Sequence, residues 1–175
     1  MRAQAGEARA AMPAREDRAT KPGLALYGMP GYLIRRLQQI AVSIFLDETQ
    51  DFGVTQVQLG TLFVIAEVPG LDAMDLSRLI ALDRSTVGDV VARLEQRGLI
   101  ERRPGDRDRR VKVIHLTAAG ETLLTEIAEA NARAQDRILS CLDPRERQQF
   151  LALVTKLVDE NNEISRAPLQ ETLRV

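Results

Sequence analysis

Two short helical segments separated by only two residues constrain the fold of this chain more than any other feature. Asp72 can cap the first segment, and Asp83 can cap the second, which runs until Gly98. Only Ala81 and Leu82 separate the two. Apolar residues follow each cap at helical spacing, namely Met74, Leu76, Leu79 and Ile80, then Val87, Val90, Val91 and Leu94. This is the helix-turn-helix arrangement, although any small helical domain can contain such a pair by chance.

A charged β-hairpin is predicted directly after this pair. Residues 99–103 and 111–116 are partly alternating, β-branched runs on either side of a Pro104-Gly105 turn signal. The tip, residues 105–110, has no apolar residue, so it should project into solvent or onto a polyanion. Six basic and three acidic residues lie between Glu101 and Lys112, whereas residues 117–164 contain nine acidic and five basic ones. A chain of net charge -1 is therefore polarised, and its hairpin attracts phosphate.

Amphipathic helices are predicted on both sides of this region. The first runs from Tyr32 to Glu48, and a second starts at a Thr55–Gln58 capping box. Thr117 should cap a long helix, and the run Asp143-Pro144-Arg145-Glu146 should start a last one. That last helix should turn its apolar side inward, with Phe150, Leu151, Val154, Leu157 and Val158. With 3% aromatic residues, the chain is predicted to be mainly α with a small β-hairpin.

Several classes of protein are disfavoured by the composition. One cysteine, Cys141, and one histidine, His115, provide neither a disulfide framework nor a metal or catalytic cluster, so we predict no enzyme and no cofactor. No apolar run reaches the length of a signal peptide or a membrane span, which predicts a cytoplasmic protein without membrane contact. Cys141 precedes a helix start, where it could be partly activated, but a small buried residue between two helices is the favoured interpretation.

The second helix of the pair has the properties of a recognition element. Its buried side leaves an outward face with Arg84, Ser85, Gly88, Asp89, Ala92 and Arg93. Ser85 and Thr86 lie in the first turn, where hydroxyls and free N–H groups suit phosphate oxygens. Gly88 would allow close approach to a groove floor, and Asp89 could accept from a cytosine amino group or orient an arginine. Alternatively, the polar residues of this turn simply cap the helix, and capping is compatible with DNA contact.

Four sequence motifs in this region resemble, as a set, the signature of the MarR family of transcriptional regulators. They are Asp83-Arg84-Ser85-Thr86-Val87, residues 93–100 (RLEQRGLI), Asp108-Arg109-Arg110, and residues 116–120 (LTAAG). The ordered match extends over residues 31–164. The resemblance implies an intertwined helical homodimer, in which two winged helix-turn-helix lobes read a pseudo-palindromic operator in double-stranded DNA.

The resemblance also assigns roles to individual residues. Ser85 and Thr86 match family contacts to phosphate or base, Arg93 matches a backbone contact, and Arg110 matches the wing arginine that enters the minor groove. Asp108 would brace that arginine, and Arg107 and Arg109 would add phosphate contacts. The implied layout is a flexible tail (1–28), a dimerisation helix (29–54), the winged helix-turn-helix (55–116) and C-terminal dimerisation helices (117–175).

The start of the first helix is similar to family branches that sense aromatic or heteroaromatic acids. Arg35 or Arg36 would pair with the carboxylate of such an effector, and the wall would include Tyr32, Gln39, Leu59 and Phe63. Either arginine could instead belong to a solvated helix face. His115 could donate to a ligand, although a hydrogen-bonded structural role is favoured. Three alternatives remain open: a constitutive regulator, a redox-responsive regulator, and a helical dimerisation module that does not bind DNA.

Overall fold

A computed structural model describes residues 25–106 and 108–170. Most of the predicted tail, residues 1–24, and the wing residue Arg107 lie outside the described residues. The described part of the chain divides into two units, with the boundary between Ile40 and Ala41. The six helices are α1 (Pro30–Glu48), α2 (Gln56–Glu67), α3 (Ala73–Leu79), α4 (Arg84–Gln96), α5 (Ala118–Ile138) and α6 (Pro144–Glu160). The strands are β1 (Leu71–Asp72), β2 (Ile100–Pro104) and β3 (Lys112–Leu116), and short 3-10 turns lie at Ala25–Gly28, Gln50–Phe52 and Asn162–Ile164.

The helix starts agree with the predicted caps. The capping boxes of α2 and α6 are both formed, with Thr55 and Asp143 as their first residues. Asp72 and Thr117 accept from the first turns of α3 and α5. The turn between the paired helices is longer than predicted, because α3 ends at Leu79 and residues 80–83 join it to α4. The apolar spacing continues through this turn, since Ile80 and Leu82 pack against the core without being helical.

The sheet contains one strand that the sequence did not reveal. All three strands are antiparallel in the order β1-β3-β2, and β1 pairs Leu71 with Ile114 and Asp72 with Val113. A strand of two residues has no periodicity to detect. The predicted hairpin is confirmed, although Pro104 ends β2 opposite Lys112 instead of starting the turn. Because β2 lies at the sheet edge, the missing N–H of proline is tolerated there.

The core lies where α2, α3, α4 and the sheet pack together, and α1 and α5 contribute Phe45, Ile127 and Ala134 to it. Its fully buried members include Leu62, Leu76, Val87, Leu94 and Ile127, each with 0% exposure. Gly120 marks the tightest approach, because a Cβ atom at this position would lie 2.2 Å from the carbonyl oxygen of Leu99. We call residues 56–120, from α2 to the first turn of α5, the lobe.

The helices outside the lobe leave apolar surface uncovered. No residue of α6 is buried, and the prediction that its apolar side points inward is wrong within the single chain, since Leu151, Val154, Leu157 and Val158 are exposed. The first half of α1 likewise exposes Leu33, Ile34, Leu37 and Ile40. The physical reason is that an amphipathic pattern requires burial against some surface but does not specify which one. No helix in the described ranges is long and apolar enough to cross a membrane.

Candidate nucleic-acid interface and cavity

A hydrogen-bond network at the start of α4 is centred on Asp83. Its carboxylate accepts the N–H of Thr86 at 3.0 Å, the hydroxyl of Ser85 at 2.5 Å and the hydroxyl of Thr86 at 2.7 Å. The Ser85 hydroxyl, followed by the N–H and hydroxyl of Thr86, holds the pKa of Asp83 well below its usual range. The predicted cap is therefore present, and it engages both hydroxyls that were predicted to contact DNA.

The outward face of α4 is polar, as predicted. Arg84, Ser85, Gly88, Asp89, Ala92 and Arg93 are exposed, whereas Thr86 is half-buried. The opposite side is held in the core by Val87, Val91 and Leu94. Within the described part of the chain, neither Arg84 nor Arg93 forms an ion pair with a carboxylate. The helix therefore presents two cationic side chains beside one carboxylate, that of Asp89.

The wing, residues 100–116, is less basic than its sequence suggests. Arg102 is paired with Glu95 of α4, and this pairing raises the pKa of Arg102 and lowers that of Glu95. Arg103 is paired with Glu101. Among the described wing residues, Arg109, Arg110 and Lys112 are exposed without an acidic partner. A count of charges along the sequence does not reveal ion pairs. The Arg102–Glu95 pair in particular joins residues that only the fold brings together.

Asp108 shapes the tip of the wing through the backbone. Its carboxylate accepts the N–H of Arg110 at 2.9 Å, and its carbonyl accepts the N–H of Val111 at 3.0 Å. No ion pair joins Asp108 to the guanidinium of Arg110 in the residues described. Asp108 thus fixes the turn that carries Arg110 and leaves the arginine side chain available.

The other end of α4 is held by a contact that sequence reasoning missed. The guanidinium of Arg97 donates to the carbonyl oxygens of Gly53 at 2.6 Å and Phe52 at 2.9 Å. Gly53 adopts a left-handed backbone, with φ of 60°. The sequence indicated only that α4 stops near Gly98, and nothing in it pointed to a partner more than forty positions earlier.

A cavity of about 310 Å³ lies among the second half of α1, α2 and α5. Of the predicted effector residues, Leu59 and Phe63 line it. Sequence reasoning missed its other lining residues, which are Phe45, Gln56, Gly60, Asn131 and Gln135. No signal in the sequence linked these residues, because three helices supply them. The wall combines two phenyl rings with three side-chain amides.

The remaining predicted effector residues lie elsewhere. In the first half of α1, the Arg35 guanidinium lies 5.1 Å from the centre of the Tyr32 ring and donates to Gln39 at 3.2 Å. Arg36 is exposed. His115 lines a different cavity, of about 430 Å³, with Gly70 and wing residues such as Val113. The residues proposed from sequence are therefore not gathered at one cavity.

Cys141 is exposed, so its predicted burial between two helices is wrong. It lies in the turn between α5 and α6, where Leu142 donates to the carbonyl of Leu139, and such a turn keeps its residues at the surface. In the described ranges, no group of three or more histidine, cysteine or acidic residues is placed to hold a metal ion.

Comparisons with known proteins agree with this geometry. The MarR family matches residues 52–111. A putative transcriptional regulatory protein for the hcr operon of Thauera aromatica is 34% identical over 152 residues, which cover 86% of this chain and 92% of that protein. The HTH-type transcriptional repressor NicR of Pseudomonas putida is 28% identical over 131 residues, covering 75% of this chain and 83% of the repressor.

A solved structure provides the three-dimensional counterpart. It belongs to a study of how 6-hydroxynicotinic acid regulates DNA binding by BpsR of Bordetella bronchiseptica. Its TM-score is 0.71 at 28% identity, and the match covers 75% of this chain and 94% of that one. The fold of this chain matches that of this solved structure over most of both chains. The chain belongs to the MarR family, and its α3–α4 pair with the β2–β3 wing is the winged helix-turn-helix of a DNA-binding transcriptional regulator.

Proposed function

We propose that this chain is a ligand-responsive repressor that binds a pseudo-palindromic operator in double-stranded DNA as a homodimer. The observation that carries the proposal is the geometry of α4. Its apolar side is held in the core, its polar side is exposed, and the wing residues Arg109, Arg110 and Lys112 are exposed as well. A helix-turn-helix of this kind places its second helix in the major groove, and a basic wing reaches the neighbouring backbone or minor groove.

The DNA contacts proposed for the described residues are made by arginine side chains that form no ion pair there. Arg84 and Arg93 on α4 and Arg109 on the wing would bind phosphates, and Arg110 would enter the minor groove. Arg107, which lies outside the described residues, would join them. Four or five cationic contacts from each chain make eight to ten in the homodimer, which predicts that the logarithm of affinity falls by about 7–9 for each tenfold rise in salt.

The homodimer is supported by the uncovered apolar surface. The α6 side chains of Leu151, Leu157 and Val158 are more than half exposed, at 53%, 59% and 56%. Because these side chains are only a little more than half exposed, covering each against a second copy would contribute about 0.8–1.8 kcal/mol. Two copies would present two α4 helices about one helical turn of DNA apart, which matches a pseudo-palindromic operator.

The cavity beside α2 is the proposed effector site. A glycine inside a helix costs about 0.5–1 kcal/mol relative to alanine, yet Gly60 lies at the middle of α2 with open space where a Cβ would be. An aromatic ring can occupy that space between Phe45 and Phe63, and the amides of Gln56 and Gln135 can donate to polar substituents. The effector proposed is a small aromatic or heteroaromatic carboxylate, the class to which 6-hydroxynicotinic acid belongs.

The release mechanism requires differential affinity. The effector must bind more tightly to a spacing of the two lobes that no longer fits successive grooves. The repressor role is supported by the similarity to NicR. A DNA-free interaction module is disfavoured, because nothing in a protein interface of that kind calls for exposed, unpaired arginines on both α4 and the wing.

Fluorescence anisotropy on the DNA upstream of its own gene tests the proposal. We expect tight binding that weakens with salt, is lost in Arg110→Ala, and is reversed by one member of a panel of aromatic acids. Gly60→Leu should bind the same DNA but ignore the acid, because its side chain fills the cavity, whereas Gly60→Ala should respond partly. Binding no tighter than to random DNA would contradict the repressor proposal, and an unchanged acid response in Gly60→Leu would contradict the proposed effector site.

A further inference from the structure

The hydroxyl groups at the start of α4 donate their protons to a fixed partner. An ionised carboxylate only accepts hydrogen bonds, so the contacts of Ser85 and Thr86 with Asp83 require each hydroxyl to supply its single proton to that carboxylate. The low pKa of Asp83 keeps it ionised throughout the pH range in which duplex DNA is stable. Both hydroxyls therefore offer only lone pairs to a ligand.

Because the hydroxyl protons are already used, the start of α4 can accept hydrogen bonds from a ligand through these hydroxyls but cannot donate them. Phosphate oxygens accept hydrogen bonds and do not donate them, so Ser85 and Thr86 could serve a phosphate only by giving up a charge-assisted bond to Asp83. The predicted phosphate role of these hydroxyls therefore opposes the network that the structure contains. The charged donors of the face are the guanidinium groups of Arg84 and Arg93.

A further acceptor lies one turn along the helix. Asp89 is four residues after Ser85, so the two occupy the same exposed face. Gly88 lies beside them without a side chain, and nothing lies within 4 Å of where its Cβ would be. A base edge can thus approach this part of α4 closely and meet acceptors.

In the major groove, the donors are the N4 amino group of cytosine and the N6 amino group of adenine, whereas guanine and thymine present acceptors. We infer that Asp89 and Ser85 read the amino group of a cytosine or adenine in each half-site, and that Asp83 is a positioning residue that keeps Ser85 in its accepting state. The inference rests on the proposed function, since it requires α4 to lie in the major groove.

Selection from a pool of randomised duplexes tests the inference, because such a selection does not require an operator of defined sequence. The full-length protein should enrich a half-site with cytosine or adenine at one position, and Asp89→Asn should admit guanine or thymine there, reducing discrimination about tenfold. Asp83→Asn retains a capping oxygen but no longer fixes the hydroxyl protons, so it should relax base selection in the same region, and its melting temperature should fall because the charge-assisted bonds are lost. Arg93→Ala serves as the control, because loss of a phosphate contact weakens all sequences equally.

The outcomes separate this inference from the proposed function. If the wild-type protein enriches no sequence, sequence-specific DNA binding by α4 fails, and the inference fails with it. If a half-site is enriched but Asp89→Asn and Asp83→Asn leave every position unchanged, the inference is overturned while the proposed function stands. Enrichment of guanine or thymine at the position that responds to Asp89→Asn also overturns it.

Discussion

Helices α4 and α6 have the same kind of apolar stripe but opposite surroundings. In α4, Val87, Val91 and Leu94 are at most 2% exposed, because α2, α3 and the sheet close over them. In α6, no residue is buried. The stripe of α4 is satisfied within one chain, whereas we propose that the stripe of α6 is satisfied by a second copy. The lobe therefore buries its own apolar residues, whereas the apolar stripe of α6 is uncovered in the single chain.

The largest expected effect comes from disrupting the exposed apolar stripe of α6. Leu157→Glu places a charge in the proposed dimer interface, so the protein should become monomeric while the lobe stays folded. DNA affinity should fall about 100-fold or more, because the second half-site no longer adds avidity. Light scattering after size exclusion and circular dichroism measure the two effects. A dimer that persists in Leu157→Glu would contradict the assignment of α6.

The next largest effect tests how tightly the lobe is packed, by replacing each of two glycines with alanine. Gly120→Ala should lower the free energy of unfolding by about 1–3 kcal/mol, because its Cβ would lie 2.2 Å from the Leu99 carbonyl oxygen. Gly88→Ala is the matched control, and it should raise that free energy by about 0.5–1 kcal/mol, since its Cβ meets nothing within 4 Å. Urea unfolding measures both. Equal shifts in the two variants would show that the lobe is not closed at Gly120.

A smaller effect is expected where the lobe joins the rest of the chain. Arg97→Ala removes two bonds to the carbonyls of Phe52 and Gly53, and should lower the free energy of unfolding by about 1 kcal/mol. Arg97→Lys can retain one of these bonds, so it should lower the free energy of unfolding by about half as much as Arg97→Ala. The same urea series measures both variants, and a loss in Arg97→Lys as large as in Arg97→Ala would argue against these bonds.

The smallest effect concerns an exposed ion cluster. Glu48 accepts from Arg137 at 2.9 Å and from Arg133 at 3.1 Å, and these contacts lower its pKa below 4.5. The pKa of Glu48 is lower in the folded state than in the unfolded state. The stabilisation from its ion pairs is therefore present above the unfolded-state pKa and is lost as the pH falls through the folded-state pKa. Glu48→Gln should therefore flatten the fall of stability as the pH drops below the usual pKa range of a glutamate. Parallel curves for the two proteins would show that the cluster contributes nothing measurable.

Local signals in the sequence were sufficient for most of the fold. The caps at Thr55, Asp72, Asp83, Thr117 and Asp143 fixed the helix starts, because a cap and its partner lie within three residues. The features that sequence reasoning missed join distant residues. The strand β1, the Arg97 contact and the cavity lining each depend on which elements pack together, and no local pattern encodes that.

The exposed face of the candidate DNA interface was predictable for the same reason, with two physical exceptions. The outward face of α4 follows from helical periodicity, so Arg84, Asp89 and Arg93 were placed correctly on it. The direction of the Ser85 and Thr86 protons did not follow, because it depends on which acceptor each hydroxyl reaches. The wing charge was overestimated, since Arg102 is neutralised by Glu95 across the fold.

Sedimentation analysis of the protein with its operator tests most directly whether the exposed helices hold two lobes on one site. A duplex of about 21 base pairs spans two successive major-groove faces. If the exposed helices do so, the free protein is a dimer, two chains bind each duplex, and a duplex with one half-site binds far more weakly. One chain bound per duplex at full affinity, or equal affinity for the half-site duplex, would contradict it.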